Sequence, residues 1–356
     1  MPEPPSSASA LISRRELLAG VGAAAVGGTL AGLVGAATAG VAKFPMPTSE
    51  ELTVLVTGDA GTGNGNQYAV AAAARRVCER TGVDLALGLG DNIYENGPES
   101  DTDDEFDTKF ERPNAGIDVP WLMILGNHDT SGLIPGSGGA PSRGDHEVAY
   151  HHRSPRWYMP SRYYRVALPA ANPVVEFFAI DTTPLASAVM QLDPYYAWYG
   201  KYAKQQRRWL DAALAESTAT WKIVLGHHPL RSNGQHGSAG EYDGITIGHY
   251  ASGIHVKELY EEVVCGRADL ILSGHDHTLQ ILDTGPTYGG TGQIVCGAAA
   301  KRNGAGKRAT PAFWEAYDTL GFMMMTIRRD ALTIDAYLVD PATGAETMAY
   351  RHMVPR

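Results

Sequence analysis

Five short polar motifs, each following an apolar run, carry the residues best able to do chemistry. They are Gly58-Asp59-Ala60-Gly61, Gly90-Asp91-Asn92-Ile93-Tyr94, Gly126-Asn127-His128-Asp129, Gly226-His227-His228-Pro229 and Ser273-Gly274-His275-Asp276-His277. Their side chains offer carboxylate, amide, phenol and imidazole donors, and none contains cysteine. Such donors suit iron, manganese or zinc rather than soft metals. The motifs therefore indicate a metal site built from oxygen and nitrogen ligands.

Each motif alone is weak evidence, because a Gly-Asp pair after a strand is usually a turn in which Asp bonds its own backbone. Five motifs of the same form at five strand ends are hard to explain as turns alone. The candidate donors number seven: Asp59, Asp91, Tyr94, Asn127, His227, His275 and His277. One tetrahedral ion needs only four ligands, so seven suit two ions that share a carboxylate. Two ions ~3.5–4 Å apart are typical of phosphoester hydrolysis.

Buried strands of an α/β domain are predicted to position these motifs. Apolar runs precede the motifs or recur between them, at Leu52–Thr57, Leu85–Leu89, Trp121–Leu125, Val174–Ile180, Trp221–Leu225 and Leu270–Leu272. Helical patterns alternate with them, at Gln67–Arg80, Tyr195–Glu216 and Val256–Val264. Sites in such sheets form outside the carboxyl ends of the strands, where the motifs lie.

Beyond Gln293 the helical patterns stop, and runs typical of strands follow one another, among them Phe322–Ile327 and Leu332–Val339. This pattern predicts a second, more antiparallel sheet. Two long Gly-rich segments, Thr130–Asp145 and Ser232–Gly253, are expected to shape the mouth of the site, since loops of that length are usually functional.

The 356 residues carry 29 basic and 39 acidic side chains, a formal net charge of −10. This balance gives no electrostatic footprint for nucleic acid. It also disfavours an anionic substrate unless bound cations supply positive charge locally. Cys78, Cys265 and Cys296 are too few for a disulfide framework or a thiolate zinc site. They are predicted to be buried thiols, with one disulfide left open.

Residues 1–42 have the layout of an export signal. Arg14-Arg15 precede Leu17-Leu18 and an uncharged stretch rich in Ala and Gly, which resembles the twin-arginine signal. Cleavage is expected after Ala39 or Ala42; an uncleaved membrane anchor is the alternative. The prediction is a mature domain of residues 43–356 without a stable membrane span, exported by the twin-arginine machinery to the periplasm or the outside of the cell.

The motif set resembles the calcineurin-like metallophosphoesterase superfamily, and within it the small, tartrate-resistant type of purple acid phosphatase. Most of that superfamily has Asp-x-His in the first motif, where this chain has Gly61; the purple acid phosphatases have a Tyr three residues after the second Asp, as Tyr94 is here. Further similarity lies in Ser154–Tyr158, Asp181-Thr182 and Trp209-Leu210, and it covers most of residues 52–283. The resemblance implies a single domain of two packed mixed β-sheets flanked by helices.

The resemblance also implies a role for each residue. Asp59, Tyr94 and His277 would bind Fe(III), and Asp91 would bridge to a second ion. Asn127, His227 and His275 would bind that divalent Fe, Zn or Mn. His128 and His236 would contact the phosphate or leaving group as catalytic residues. His228 departs from the Tyr often found there; it is expected to pack or face solvent and is given no chemistry.

The function implied is that of an acid phosphatase that cleaves small phosphate monoesters by attack of a metal-bound hydroxide and releases inorganic phosphate. One alternative is a phosphodiesterase, or a Mn or Zn phosphatase without ferric iron. Another is an exported protein that binds metal or phosphate with little turnover. A binder, however, needs neither non-ligand histidine.

Overall fold

The computed structural model of the protein describes residues 41–244 and 252–356. In chain order its strands are β1 (Leu52–Thr57), β2 (Leu85–Gly88), β3 (Trp121–Met123), β4 (Trp157–Tyr158), β5 (Tyr164–Leu168), β6 (Val175–Ile180), β7 (Trp221–Gly226), β8 (Leu270–Ser273), β9 (Leu279–Leu282), β10 (Gly292–Cys296), β11 (Ala312–Ala316), β12 (Leu320–Ile327), β13 (Ala331–Val339) and β14 (Glu346–Pro355). The α-helices are α1 (Gly65–Thr81), α2 (Pro141–Tyr150), α3 (Thr183–Ala186), α4 (Lys201–Glu216) and α5 (Ile254–Leu259).

Two seven-stranded sheets pack against each other. The first has the order β14-β13-β12-β1-β2-β3-β4 and the second the order β11-β9-β10-β8-β7-β6-β5. Strands β1 to β4 run parallel, as do β6, β7, β8 and β10. The remaining strands pair antiparallel. The predicted fold class, two packed mixed sheets flanked by helices, is confirmed.

The composition of the two sheets differs from the sequence-based expectation. The strands beyond Gln293 do not form the second sheet by themselves: β12 pairs antiparallel with β1, so β12 to β14 extend the first sheet. The second sheet is built from the middle of the chain, and only β10 and β11 join it from beyond β9. Pairing between strands far apart in sequence decides this, and the local pattern does not encode it.

The apolar runs are continuous because the strands are buried on both faces. One core lies between the sheets and includes Val54, Leu87 and Ile223; a second lies between the second sheet and its helices and includes Leu210 and Val256. Helix α1 begins where the Asn64 side chain accepts hydrogen bonds from the next turn, and it ends at Gly82. The cap stabilises the first turn of α1, and the buried face of the helix packs against the first sheet.

Most element boundaries agree with the predictions to within three residues. The predicted helix Val256–Val264 corresponds to α5 and a π-helical turn that follows it, Tyr260–Val264. Helix α4 begins at Lys201 rather than Tyr195, because the preceding segment folds back on itself through Tyr202 N–H to Tyr195 O (3.0 Å). The predicted loop Thr130–Asp145 ends inside α2. Short strands β4, β5, β9, β10 and β11 and the edge strand β14 were not predicted, since their runs are brief or mixed with polar residues.

The predicted signal segment lies outside the described residues, apart from 41 and 42. Within the described ranges, no helix is both long enough and apolar enough to cross a bilayer. The three cysteines are free thiols, and the prediction that they are buried is confirmed for two of them. Cys78 and Cys296 are buried and Cys265 is half-buried.

Candidate metal centre

All five motifs meet at one edge of the two sheets. Strands β1, β2 and β3 of the first sheet and β7 and β8 of the second end there, so their following turns lie side by side. Hydrogen bonds from backbone N–H groups to side-chain carboxylates connect the turns. His275 N–H donates to Asp59 Oδ2 (2.9 Å), and His128 N–H donates to Asp91 Oδ1 (2.9 Å). The tertiary fold thus gathers the candidate donors from five separate segments.

One group of donors consists of Asp59, Tyr94 and His277. The Tyr94 hydroxyl oxygen lies 3.1 Å from Asp59 Oδ1 and 3.1 Å from His277 Nε2. His277 Nε2 is 3.4 Å from the same Asp59 oxygen. These are the three residues that the family resemblance assigns to the ferric ion, and the structure brings them together.

A second group consists of Asp91, Asn127 and His227. His227 Nε2 lies 3.0 Å from Asn127 Oδ1 and 3.5 Å from Asp91 Oδ1. The donor atoms of Asp59, Asp91 and His227 are all within 4.8 Å of one another, so the two groups adjoin. Asp91 is therefore close enough to both groups for the bridging role that the resemblance implies, which stays a prediction.

The distances between the donor atoms within each group are those expected around a bound metal ion. Donors ~2.1 Å from one ion are separated by about 3.0 Å in an octahedron and about 3.4 Å in a tetrahedron. The separations within each group, 3.0 to 3.5 Å, lie within 0.1 Å of that range. A neutral imidazole must keep its ligating nitrogen unprotonated. The Nδ1–H of His227 donates to Leu89 O (2.8 Å), so Nε2 is the nitrogen that faces the site and would give up its proton to a metal.

His275, the seventh candidate donor, is buried beside the second group. Its ring centroid is 5.2 Å from that of His227 and 4.6 Å from that of His236. Burial, together with the neighbouring histidines, lowers the pKa of His275 well below its ordinary value. It is therefore held in the neutral form that binds metals.

Three candidate ligands have left-handed backbone conformations, which non-glycine residues seldom adopt. The φ angles are +58° for Asp59, +53° for Asp91 and +68° for His275. Such conformations cost of order 1–3 kcal/mol each and cluster at functional sites. Here they lie two or three residues after the ends of β1, β2 and β8, in the turns that carry the candidate ligands.

Gly61 explains why this chain has no His in its first motif. A Cβ on Gly61 would lie 1.8 Å from the carbonyl oxygen of Asn92, so no side chain fits there. The Gly61 carbonyl instead accepts a hydrogen bond from Tyr94 N–H (2.9 Å). The close approach of the two loops thus excludes a ligand at position 61 and places Tyr94.

The charges of the site are strongly coupled. Burial would raise the pKa of Asp91, but His227, His128 and their hydrogen bonds hold it well below its usual range. Burial likewise opposes charge on His227, but attraction to Asp91 outweighs it and raises the pKa to about 10. For Tyr94, burial and the Asp59 and Asp91 carboxylates raise the pKa well above 10. The Tyr94 phenol stays protonated unless a cation compensates its charge.

A cleft of about 260 Å³ opens beside the second group and is lined by Asn127, His128, Pro135, Gly136, Ala186, Ser187, His228, His236, Tyr242, Asp243 and His275. His128 Nδ1–H donates to Glu95 O (2.6 Å), and His236 Nδ1–H donates to Asp243 Oδ1 (2.7 Å). Each ring therefore keeps Nε2 for the cleft. Burial disfavours a charged His236, but Asp243 and nearby carboxylates outweigh it and raise the pKa of His236.

Two buried aspartates support the site, and sequence reasoning gave them no role. Asp129 accepts hydrogen bonds from the backbone N–H groups of Asn92 (2.7 Å), Ile93 (2.9 Å) and Gly126 (2.7 Å) and so joins two motif loops. Asp276 accepts from His236 N–H (2.8 Å) and from the Ser232 hydroxyl, which fixes the loop that carries His236. Both stand inside the motifs, next to a candidate site residue, and that position was the available signal.

His228 is buried and does not face solvent. Its backbone N–H donates to Thr182 Oγ1 (3.2 Å), which also lies 2.8 Å from Nδ1 of the same residue. Burial and the neighbouring His227 lower the pKa of His228 well below its ordinary value. It is a neutral packing residue at the cleft wall, one of the two outcomes that the sequence left open.

Residues 52–279 match the family model described as calcineurin-like phosphoesterase. The chain belongs to this family. Purple acid phosphatase 4 of Arabidopsis thaliana is 30% identical over 321 residues, which span 87% of this chain and 86% of that protein. Tartrate-resistant acid phosphatase type 5 of Homo sapiens is 30% identical over 231 residues, 63% of each chain. The resemblance to purple acid phosphatases is confirmed, and the chain is a dimetal phosphoesterase.

Solved structures agree on the fold of this phosphoesterase. GAP50, described as the anchor in the inner membrane complex of Plasmodium, superposes with a TM-score of 0.63 at 18% identity, covering 86% of this chain and 89% of that one. Purple acid phosphatase PPD1 from yellow lupin seeds superposes with a TM-score of 0.58 at 17% identity, covering 88% and 55%. At such identities the likeness concerns the fold alone.

Proposed function

We propose that this phosphoesterase is an acid phosphatase that hydrolyses phosphate monoesters at a centre of Fe(III) and one divalent ion, Fe, Zn or Mn. The observation that carries the proposal is the Tyr94 hydroxyl, 3.1 Å from both Asp59 and His277. A phenolate is a hard, electron-rich donor that favours Fe(III). Asp59, Tyr94 and His277 would hold that ion, Asn127, His227 and His275 the divalent one, and Asp91 both.

When bound, the two cations would hold the phosphate oxygens, offset their charge and lower the pKa of the attacking water. The chain has a net charge of −10, so these cations also explain how an acidic protein binds an anion.

The cleft histidines handle the proton of the leaving group. His236 is half-exposed, and its raised pKa favours the imidazolium, which can donate from Nε2 to the departing oxygen. His128 Nε2 lies at the cleft beside Gly136, while Nδ1 is occupied by Glu95 O. Ring orientation is thus set before substrate binds, which reduces the entropy lost on reaching the transition state.

Metal analysis and visible spectroscopy of the purified protein test the centre, with Tyr94→Phe as the matched variant. The expected result is two metals per chain and a visible absorption band that the variant lacks. A colourless protein with full iron occupancy would contradict Tyr94 ligation.

Comparison of mono- and bis-aryl phosphates tests the reaction. Faster hydrolysis of the monoester supports the proposal, and preference for the diester would make the protein a phosphodiesterase. Tight binding of metal and phosphate with no hydrolysis of either ester would make it a binding protein.

We also propose export by the twin-arginine route. Support comes from Arg14-Arg15 and the uncharged stretch after them. Lys43, just past the predicted boundary, is part of the domain, since its Nζ donates to Ser154 O (2.8 Å) and Trp157 O (3.1 Å). Replacement of Arg14 and Arg15 by Lys should retain the protein in the cytoplasm, and the N-terminal sequence of the exported form should begin after Ala39 or Ala42. Export of the Lys variant through the general secretion route would contradict this proposal.

A further inference from the structure

One wall of the cleft continues into an exposed apolar rim. Residues 130–142 and 182–192 contain no charged side chain. Within them Leu133 is fully exposed, and Ile134, Val189 and Leu192 are 67%, 47% and 74% exposed. Exposed apolar residues in one place next to a binding cleft mark a contact surface.

The two segments that carry this rim are in contact. The Ser187 hydroxyl donates to Ser137 O, and Gly138 packs so closely on Ser187 that a Cβ there would lie 2.9 Å from the Ser187 Cβ. A Cβ on Gly139 would lie 3.3 Å from Val189 Cγ1. The rim is therefore one surface formed by both segments.

This surface is continuous with the proposed phosphate site. Pro135 and Gly136 from the first segment, and Ala186 and Ser187 from the second, line the cleft. Gly136 lies against His128, since a Cβ there would be 3.1 Å from Nε2. The facing wall is polar, with His236 bonded to Asp243. A phosphate held by the histidines thus leaves its ester group beside the apolar wall.

We propose that an apolar lip, formed by Leu133, Ile134, Pro135, Val189 and Leu192, binds the alcohol part of the substrate, so that soluble phosphate monoesters of apolar alcohols are preferred. This proposal rests on the proposed monoesterase function. A fully buried methylene changes an equilibrium by about fourfold, and an open lip that covers about half of it gives roughly twofold.

The experiment compares kcat/KM for ethyl, butyl and hexyl phosphate, with 2-(2-hydroxyethoxy)ethyl phosphate as the polar counterpart of the hexyl ester. All are esters of primary alcohols, so the chemical step is closely matched. The wild-type protein should favour hexyl over ethyl phosphate roughly 16-fold, about twofold for each of four methylenes. The double variant Leu133→Ser, Ile134→Ser should reduce that preference to about fourfold or less, because kcat/KM should fall more for the hexyl ester than for the ethyl ester.

Met353→Ser is the matched control. Met353 is 63% exposed and lies on β14, three strands from β1, level with the end of the sheet opposite the site. The preference of this variant for hexyl over ethyl phosphate should equal that of the wild type.

Equal hydrolysis of the hexyl and glycol esters, or an unchanged preference in the double variant, would overturn the proposal. If the double variant loses the binding to phosphatidylcholine vesicles that the wild type shows, while its ester preference is unchanged, the apolar lip is a membrane contact instead. Hydrolysis of none of the esters would refute the monoesterase function itself.

Discussion

Glu147 is expected to make the stability of this protein depend on pH in a direction opposite to that of most glutamates. It lies on α2 with no exposed surface, and its Oε2 accepts a hydrogen bond from Asn92 Nδ2 (2.9 Å). Burial and the adjacent Asp129 carboxylate raise the pKa of Glu147 well above its ordinary value. Asp129 accepts three backbone hydrogen bonds and is the better site for the negative charge, so Glu147 keeps its proton in the folded protein.

The perturbation is Glu147→Gln, which keeps the shape and the neutral charge of the folded state but removes the titration. The unfolded chain releases the Glu147 proton above about pH 4.3, whereas the folded chain retains it until the raised pKa is reached. The folded state therefore binds more protons in this interval, and the free energy of unfolding contributed by Glu147 falls as pH rises. The slope is about 1.4 kcal/mol per pH unit. Between pH 5 and pH 6 the variant should gain about 1.4 kcal/mol of stability relative to the wild type.

Urea unfolding of both proteins at several pH values measures this difference. Glu79→Gln is the matched control, because it makes the same chemical change at an exposed position on α1. The comparison should be made with and without metals, since nearby cations favour the carboxylate and should shorten the interval from its upper end. A difference between wild type and Glu147→Gln that stays constant over this pH range would show that Glu147 is ionised in the folded protein, and the argument from burial would be refuted.

The remaining predictions concern the centre itself. Tyr94→Phe should abolish the visible band while the protein stays folded; a band that persists at the same wavelength would exclude phenolate ligation. Asp91→Ala should lose both metals and activity by metal analysis and assay, and retained activity would rule out a bridging role. His128→Ala should keep both metals but lower kcat by about 10²- to 10⁴-fold, the usual contribution of a proton donor, so that lost metal would show it to be a ligand. Gly61→Ala should destabilise the protein in urea by several kcal/mol because its Cβ meets the backbone at 1.8 Å, whereas Gly65→Ala, with nothing within 4 Å, should not.

Much of the site was predictable because its residues follow strands in short motifs. A buried strand and the turn after it are local features, and Asp59, Asp91 and Asn127 could be named from such patterns alone. The parallel arrangement of β1, β2 and β3 then brings their ends together. The supporting residue Glu147 was not predictable in this way, because it lies on a helix 55 residues from its partner Asn92.

The amino-acid sequence by itself determined the types of ligand, the strand ends that carry them and the family to which the chain belongs. These depend on local residue order, because a strand followed by Gly and a donor residue can be recognised without knowing which strands lie beside it. Only the tertiary structure decided that β12 to β14 extend the first sheet, that position 61 has no room for a side chain, and that an apolar lip borders the cleft. Each of these depends on segments far apart in the chain that approach within a few ångströms, and sequence proximity carries no information about such contacts.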